Sequence, residues 1–314
     1  MTRNGGLDLI RVAAASAVFF YHLRVFAGID LLGPVAQHGN LAVPAFFALS
    51  GYLVYRPFAH RPVEPVAYLI RRAARILPAC VAATTLVGLL FPWSAAAGLS
   101  RALWSLVIEL EFYLALPFLA RLVAGREFAM IGVLAAASYG FALLVPELTI
   151  QTLVPFSPAF FWCFATGMAV AILERDQPGW LRSRLLVPVG GLLAFAAMEI
   201  GGDVWTDLLP ALATATLIAG LIGWRAASPQ LTFAADVSYP FYLWHVPMIA
   251  LLTTILSGPA LALIAFASTT AVSTASVVLL ERPVQRWAKG RGGRSPEKHP
   301  TISPGPELAR EATR

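Results

Sequence analysis

The sequence predicts an all-α fold: a polytopic membrane helix bundle of about ten transmembrane helices, with the N- and C-termini both cytoplasmic. Three observations predict it. Of the 314 residues, 58% are hydrophobic and only 13% are charged, too apolar for a soluble chain of this size and too evenly so for a single anchor. The apolar residues fall into runs of about 16–22 bounded by charged or turn residues, the length a helix needs to cross a bilayer. When those runs are threaded back and forth, almost every arginine lands on the same side.

In chain order the runs are 7–27, 39–56, 76–92, 102–120, 128–146, 158–174, 185–200, 206–224, 239–256 and 259–280. With the N-terminus inside, Arg3 and Arg11 lie at the inner end of the first run. Arg56, Arg61, Arg71, Arg72 and Arg75 follow the second run, Arg121 and Arg126 the fourth, Arg175, Arg182 and Arg184 the sixth, and Arg225 the eighth. A further cluster begins at Arg282, and only Arg24 and Arg101 fall outside. The formal charge of +6 therefore expresses topology. No basic surface with interleaved aromatics points to nucleic acid. The first run resembles a secretion signal, but it carries ionisable residues and no convincing small-residue cleavage site follows, so it reads as an uncleaved helix. Cys80 and Cys163 fall in runs near opposite membrane faces and read as buried free thiols, with neither a disulfide nor a metal site expected.

Residues 1–287 form one integral domain with no visible internal repeat. The outer connections 91–100, 146–157 and 201–207 are too short to fold separately. The longest inner connection, about 57–75, is rich in Pro and Arg. From 288 to 314 the composition turns polar and Gly/Pro-rich, a disordered cytoplasmic tail.

Charged groups inside a bilayer cost several kcal/mol unless paired or hydrated, so the few that occur there are informative. Asp8, Arg11 and His22 share the first run. Arg11 and His22 are eleven positions apart, which brings them to about the same helix face roughly 16 Å apart. Asp8 and Arg11 suit an ion pair at i,i+3. His22 is either interfacial or a general base, a role its unperturbed pKa of about 6.5 suits. Ser50-Gly51 reads as a close-packing pair, and no G-x-S-x-G context marks Ser50 as a nucleophile. Arg72 and Arg75 are three apart and share a face ahead of Pro78, as a positive flank or as a clamp for phosphate oxygens. Glu109 and Glu111 lie in an otherwise apolar run and face roughly 160° apart, so at least one faces the bundle interior, where it needs a partner. His22 is one candidate partner and an acceptor hydroxyl another. His245 lies among Tyr242 and Trp244, a packing residue or a ligand-facing one.

Six stretches in order resemble the acyltransferase-3 family of integral membrane O-acyltransferases. They are "LDLIRVAAASAVFFYH", with Arg11, ten residues and His22; "FFALSGYLV"; "RRAARILPA", with Arg72 and Arg75; "WSLVIELEFYLALP"; "VSYPFYLWHVP"; and the closing "ERP". Together they extend from residue 7 to about 283. Here Leu110 follows Glu109, where the family often has a second acid, and the outer loops are short for the family.

The resemblance implies transfer of a short acyl group, acetyl by default, from acyl-coenzyme A to a hydroxyl of a carbohydrate or glycosylated acceptor. No bound cofactor is expected; acyl-CoA is a co-substrate. His22 would be the general base, or would itself be acylated in passing. Arg11 would orient the donor or stabilise negative charge, and Glu109 would orient His22 or the acceptor. Arg72 and Arg75 would hold the coenzyme's phosphates, and Trp104, Ser105, Tyr113 and His245 would bind substrate. The expected partners are the donor, a hydroxyl-bearing acceptor (sugar, cell-envelope glycan or glycosylated small molecule) and the lipid bilayer. The expected location is a bacterial inner membrane. A transporter or a non-catalytic membrane partner on the same bundle is the alternative. The missing repeat argues against the first, and the intact arginine and histidine pairs against the second.

Overall fold

The structure is a computed structural model that describes residues 4–90, 93–144, 157–179, 181, 183–202, 207–224 and 228–292. Among these residues every regular element is a helix. The elements are α1 (Gly5–Ala27), the short α2 (Pro34–His38) with a 3-10 turn (Gly39–Leu41), α3 (Ala42–His60), α4 (Pro65–Leu90) and α5 (Trp93–Leu122). They continue with α6 (Glu127–Leu144), a 3-10 turn (Ser157–Phe160), α7 (Phe161–Asp176), α8 (Leu186–Ile200) and α9 (Leu209–Leu221). The last are α10 (Pro229–Leu252), α11 (Gly258–Ser276), a π turn (Val277–Glu281) and α12 (Arg282–Gly292).

Six stretches are long and apolar enough to cross a bilayer: Gly5–Ala27, Pro34–His60, Pro65–Leu89, Leu103–Leu122, Glu127–Leu144 and Gly258–Ala288. Helices α8 and α9 are apolar but shorter. The chain is thus a multi-pass membrane protein, all-helical among the described residues, and each of the ten apolar runs overlaps an α-helix.

Helix ends follow their caps. The Asn4 side-chain oxygen accepts from the backbone N–H of Gly6 (2.9 Å) and Leu7 (3.3 Å), and its amide donates to the carbonyls of Leu221 (3.1 Å) and Ile222 (2.6 Å). One side chain therefore starts α1 and ties it to the end of α9. Gly28, at φ +66°, ends α1 in the left-handed conformation that glycine adopts without steric cost.

The expected inner connection 57–75 is mostly helix instead. α3 continues through Pro57 to His60, and α4 begins at Pro65, leaving only 61–64 between them. The physical reason is the start signal. Glu64 accepts from the backbone N–H of Val66 (3.0 Å) and of Ala67, and Pro65 supplies a preset φ with no N–H to leave unsatisfied. Those N–H groups, Ala67 foremost, hold the exposed Glu64 carboxyl below the usual carboxylate range. Arg72 and Arg75 consequently sit on a helix rather than on a loop flank. In the same way residues 93–100, expected in an outer connection, form the first turns of α5, while 91–92 lie outside the described residues. α10 starts ten positions before its apolar run, where Ser228 accepts from the N–H of Leu231 (3.1 Å) and Pro229 follows. α12 carries the chain to Gly292, and the rest of the expected tail lies outside the described residues, as do most of the outer connections 146–157 and 201–207.

The centre of the bundle is the α3–α7 contact. A Cβ added at Gly51 would fall far inside contact distance of the Phe164 carbonyl, and one added at Gly167 would do the same to the Ala48 carbonyl. The two backbones therefore touch through paired glycines, the small-residue packing that membrane helices use in place of a hydrophobic drive. Phe164 stacks on Phe47 (4.8 Å) and on Phe112 (4.0 Å), which brings α5 onto the same layer. Cys163 is buried, Cys80 is half-buried, and both are free thiols.

At one end of the bundle ion pairs join three helix ends. Arg56 grips Glu174 through Nε (2.6 Å) and NH2 (2.9 Å), and Tyr52 donates to the same carboxylate (2.9 Å). Arg175 reaches Glu127 (3.2 Å), Asp176 (2.6 Å) and the Ala59 carbonyl (3.1 Å). A half-buried bidentate pair is worth more than a surface one. Glu174→Ala is expected to cost about 1–3 kcal/mol, seen as a lower Tm of the detergent-solubilised protein. An unchanged Tm would mean that the pair contributes nothing.

Candidate active site

Five helices line a narrow cleft with about 90 Å³ of space open to water. Each contributes residues at helical spacing. α4 gives Arg72, Arg75 and Ile76. α5 gives Ser105, Leu106, Glu109 and Tyr113. α10 gives Ser238, Tyr239 and Tyr242, and α1 gives Arg11. α3 supplies the apolar wall through Val43, Phe46, Phe47 and Leu53, together with the Ser50 hydroxyl. Steps of three and four put each set on one face of its helix.

The charge of this cleft is its main property. Among the lining residues three are arginines and one is an acid, Glu109. Arg11 lies 3.8 Å from Asp8, the expected i,i+3 pair. Arg72 and Arg75 form no salt bridge among the described residues. The Arg72 guanidinium sits 5.9 Å from the Tyr68 ring centroid and 5.8 Å from that of Tyr113, held by two π faces, and its buried Nε has no hydrogen-bond partner. A guanidinium in an interior cleft with no carboxylate in salt-bridge contact among the described residues keeps donors available to an anion.

Glu109 is engaged on the cleft wall. Its Oε1 accepts from the hydroxyls of Ser50 and Tyr113, and Tyr113 also donates to Ser50 Oγ (3.4 Å). Further along, Ser105 and Tyr242 share a hydrogen bond of 2.7 Å. Tyr242 links the cleft to a histidine pair. His245 Nδ1 lies 2.7 Å from the Tyr242 carbonyl, His245 Nε2 lies 3.0 Å from His22 Nδ1, and His22 Nδ1 lies 3.0 Å from the Val18 carbonyl. His245 is 1% exposed, while His22 is half-buried against Phe26, whose ring stacks at 5.9 Å.

The structure thus brings Arg11, Arg72, Arg75, Ser105, Glu109 and Tyr113 to one cleft, and His22 and His245 to one hydrogen bond beside it. It does not join Glu109 to His22: the hydrogen bonds of Glu109 are to Ser50 and Tyr113, and the imidazole of His245 meets His22 instead. Of the two acids, Glu109 lines the cleft and Glu111 does not. Trp104 is not among the lining residues; its ring lies 5.6 Å from that of Phe160. Sequence reasoning missed Tyr68, Tyr239 and the cleft-facing role of Tyr242, and read Ser50 as a packing residue. For Ser50 a signal existed. Gly51 makes the close contact, and the neighbouring position, about 100° around the helix, is free to face the cleft.

The described residues thus form a membrane helix bundle with an arginine-lined interior cleft and an imidazole pair beside it. Residues 4–282 match the family described as Acyltransferase domain, nearly the whole chain, and the protein belongs to that family. It is similar to exopolysaccharide production protein ExoZ of Rhizobium meliloti (strain 1021), with 25% identity over 297 residues, covering 81% of this chain and 92% of that protein. It is also similar to nodulation protein 10 of Rhizobium leguminosarum bv. viciae, with 24% identity over 352 residues, covering 90% and 94%. No solved structure matches.

Proposed function

We propose that the protein is an O-acyltransferase that moves a short acyl group, acetyl by default, from acyl-coenzyme A to a hydroxyl of a carbohydrate or glycosylated acceptor in a bacterial inner membrane. The observation that carries this reading is the pair of arginines, Arg72 and Arg75, that form no salt bridge among the described residues, in an interior cleft whose Tyr242 adjoins an imidazole pair. A pyrophosphate-bearing donor with a long, mostly neutral arm matches the chemistry of this lining, arginines followed by an apolar wall. The carbohydrate acceptor is suggested by the name of the exopolysaccharide production relative.

In the proposed topology ten spans leave both termini cytoplasmic. The arginine excess supports it, as do the contacts joining ends that alternate threading puts on one side: Asn4 with Leu221 and Ile222, and Arg175 with Glu127 and Ala59. The donor then enters from the cytoplasm. Arg72 and Arg75 grip its phosphates, and Arg11 adds positive charge to the same cleft. The pantetheine arm passes Glu109, Tyr113 and Ser105 toward the histidines. His22 removes the proton of the acceptor hydroxyl as its oxygen attacks the thioester carbonyl. Collapse of the tetrahedral intermediate forms the ester and releases the coenzyme thiolate, which takes the proton back from His22.

The test is a thiol-release assay on the detergent-purified protein, with acetyl-coenzyme A and a panel of hydroxyl acceptors. Acceptor-dependent thiol release is expected. Folded protein that neither binds nor turns over the donor would reject the proposal. Arg72→Ala is expected to raise the apparent KM for acetyl-coenzyme A about 10- to 100-fold, the loss of one charge-assisted contact of roughly 1.5–3 kcal/mol. The acceptor KM should hardly move; an unchanged donor KM would remove Arg72 from the clamp.

A further inference from the structure

The geometry points to His245 as the positioning residue of the site, an imidazole whose lone pair holds His22 in the tautomer that places the basic lone pair on Nε2. The inference rests on His22 being the base proposed above.

It follows from what each atom can do. A backbone carbonyl only accepts. The Tyr242 carbonyl stands 2.7 Å from His245 Nδ1, so that nitrogen carries a hydrogen. A neutral imidazole has only one N–H, which leaves the lone pair of His245 on Nε2. A doubly protonated His245 would put a full charge in a site 1% exposed with no carboxylate among its hydrogen-bond partners, at a cost of several kcal/mol. His245 Nε2 therefore accepts, and His22 Nδ1, 3.0 Å away, donates. The Val18 carbonyl, 3.0 Å from the same His22 nitrogen, demands the same assignment, and the two acceptors share one hydrogen. The reverse tautomers would set the His22 Nδ1 lone pair against the lone pairs of Val18. With Nδ1 protonated, Nε2 of His22 carries the lone pair that a base needs.

A neutral imidazole does here what a carboxylate does in a hydrolase triad, orienting the base and fixing its tautomer, without adding a charge inside the membrane. When His22 takes a proton on Nε2, Nδ1–H goes on donating to His245 and nothing reorganises. The pair is held in register by the core that joins α1 to α10. Phe19 and Leu23 on α1 and Ile249 on α10 are almost fully buried in it, the Phe19 ring lies 5.6 Å from that of Phe241, and the Phe241 ring is nearly parallel to His245 at 6.5 Å.

Two substitutions separate this role from simple packing. In His245→Asn the amide nitrogen reaches the position of Nδ1 and can still donate to the Tyr242 carbonyl, but nothing reaches His22. In His245→Gln the amide oxygen reaches the position of Nε2 and can accept from His22. With acetyl-coenzyme A and an acceptor that supports turnover, kcat is expected to fall about 10- to 100-fold in His245→Asn, as for other partners that orient a functional imidazole. It should stay within about fivefold of wild type in His245→Gln, and the KM for acetyl-coenzyme A should stay within about twofold in both. The readout independent of activity is the nitrogen-15 NMR spectrum of the histidine-labelled full-length protein in micelles, with His22 assigned from a His22→Gln sample. Wild type and His245→Gln are expected to show His22 protonated at Nδ1, and His245→Asn to weaken that preference to what the Val18 carbonyl alone sustains. Protonation of wild-type His22 at Nε2, or equal activity of the Asn and Gln variants, would overturn the inference. Full activity of His22→Ala would instead sink the assignment of the base, with the tautomer result unaffected.

Discussion

Replacing His22 by alanine is expected to slow acyl transfer by about 10²–10⁴-fold, the range a positioned general base contributes, with little change in the KM for acetyl-coenzyme A. The groups proposed to bind the donor, Arg11, Arg72 and Arg75, belong to the cleft, and His22 does not line it. The proposal thus gives binding and proton removal to different side chains, so the loss should fall on kcat. The fold should survive. Removing the ring opens a gap beside Phe26 and leaves His245 Nε2 without its donor, a cost of about 1–3 kcal/mol. The α1–α10 contact rests on the apolar residues around Phe19, Leu23 and Ile249. Size-exclusion profile and Tm in detergent check the fold, and thiol release at saturating donor checks the rate. A folded variant that keeps more than about a tenth of the wild-type kcat would show that another group takes the proton.

Gly167→Ala should have the largest effect on stability. Its new methyl group would land on the Ala48 carbonyl of α3, with the Tyr52 backbone N–H behind it, and backbone cannot rotate aside as a side chain can. The two helices must separate, which costs about 1–3 kcal/mol and can cost more. It also displaces Ser50 from Glu109 and Tyr52 from Glu174, so the loss of activity should exceed what the loss of folded protein explains. Gly132→Ala and Gly140→Ala, on α6, are the controls. Nothing lies within 4 Å of an added Cβ at either position, and each should stabilise by roughly 0.5–1 kcal/mol. If Gly167→Ala melts with the controls, α3 and α7 are not in the contact described.

The sequence made visible what depends on one helix at a time. Helical periodicity put Arg72 and Arg75 on one face, Arg11 eleven positions before His22 and Glu109 opposite Glu111. Its reach ended where two helices meet. The choice between Glu109 and Glu111 is made by Ser50, on α3, and by Tyr113, one turn further along α5. The partner of His22 depends on how α1 crosses α10, and 223 positions separate it from His245. Helix starts were misplaced for a related reason. Apolar runs mark where a chain is greasy, while Glu64 and Ser228 start helices in polar surroundings, so α4 and α10 begin about three turns before hydropathy signals them.

The same separation of His22 and His245 has a consequence for biosynthesis. Chains emerge N-terminus first at roughly 5–20 residues per second, so the 223 positions between the two histidines take about 10–45 s to make. For that time α1 exists without the carbonyl acceptors at the end of α9 for Asn4 and without the imidazole for His22. The first helix to be made is among the last to be completed. The young chain must shelter its polar stripe against other helices or the insertion machinery until α10 arrives, and a chain cut short before α10 would carry His22 without His245 beside it.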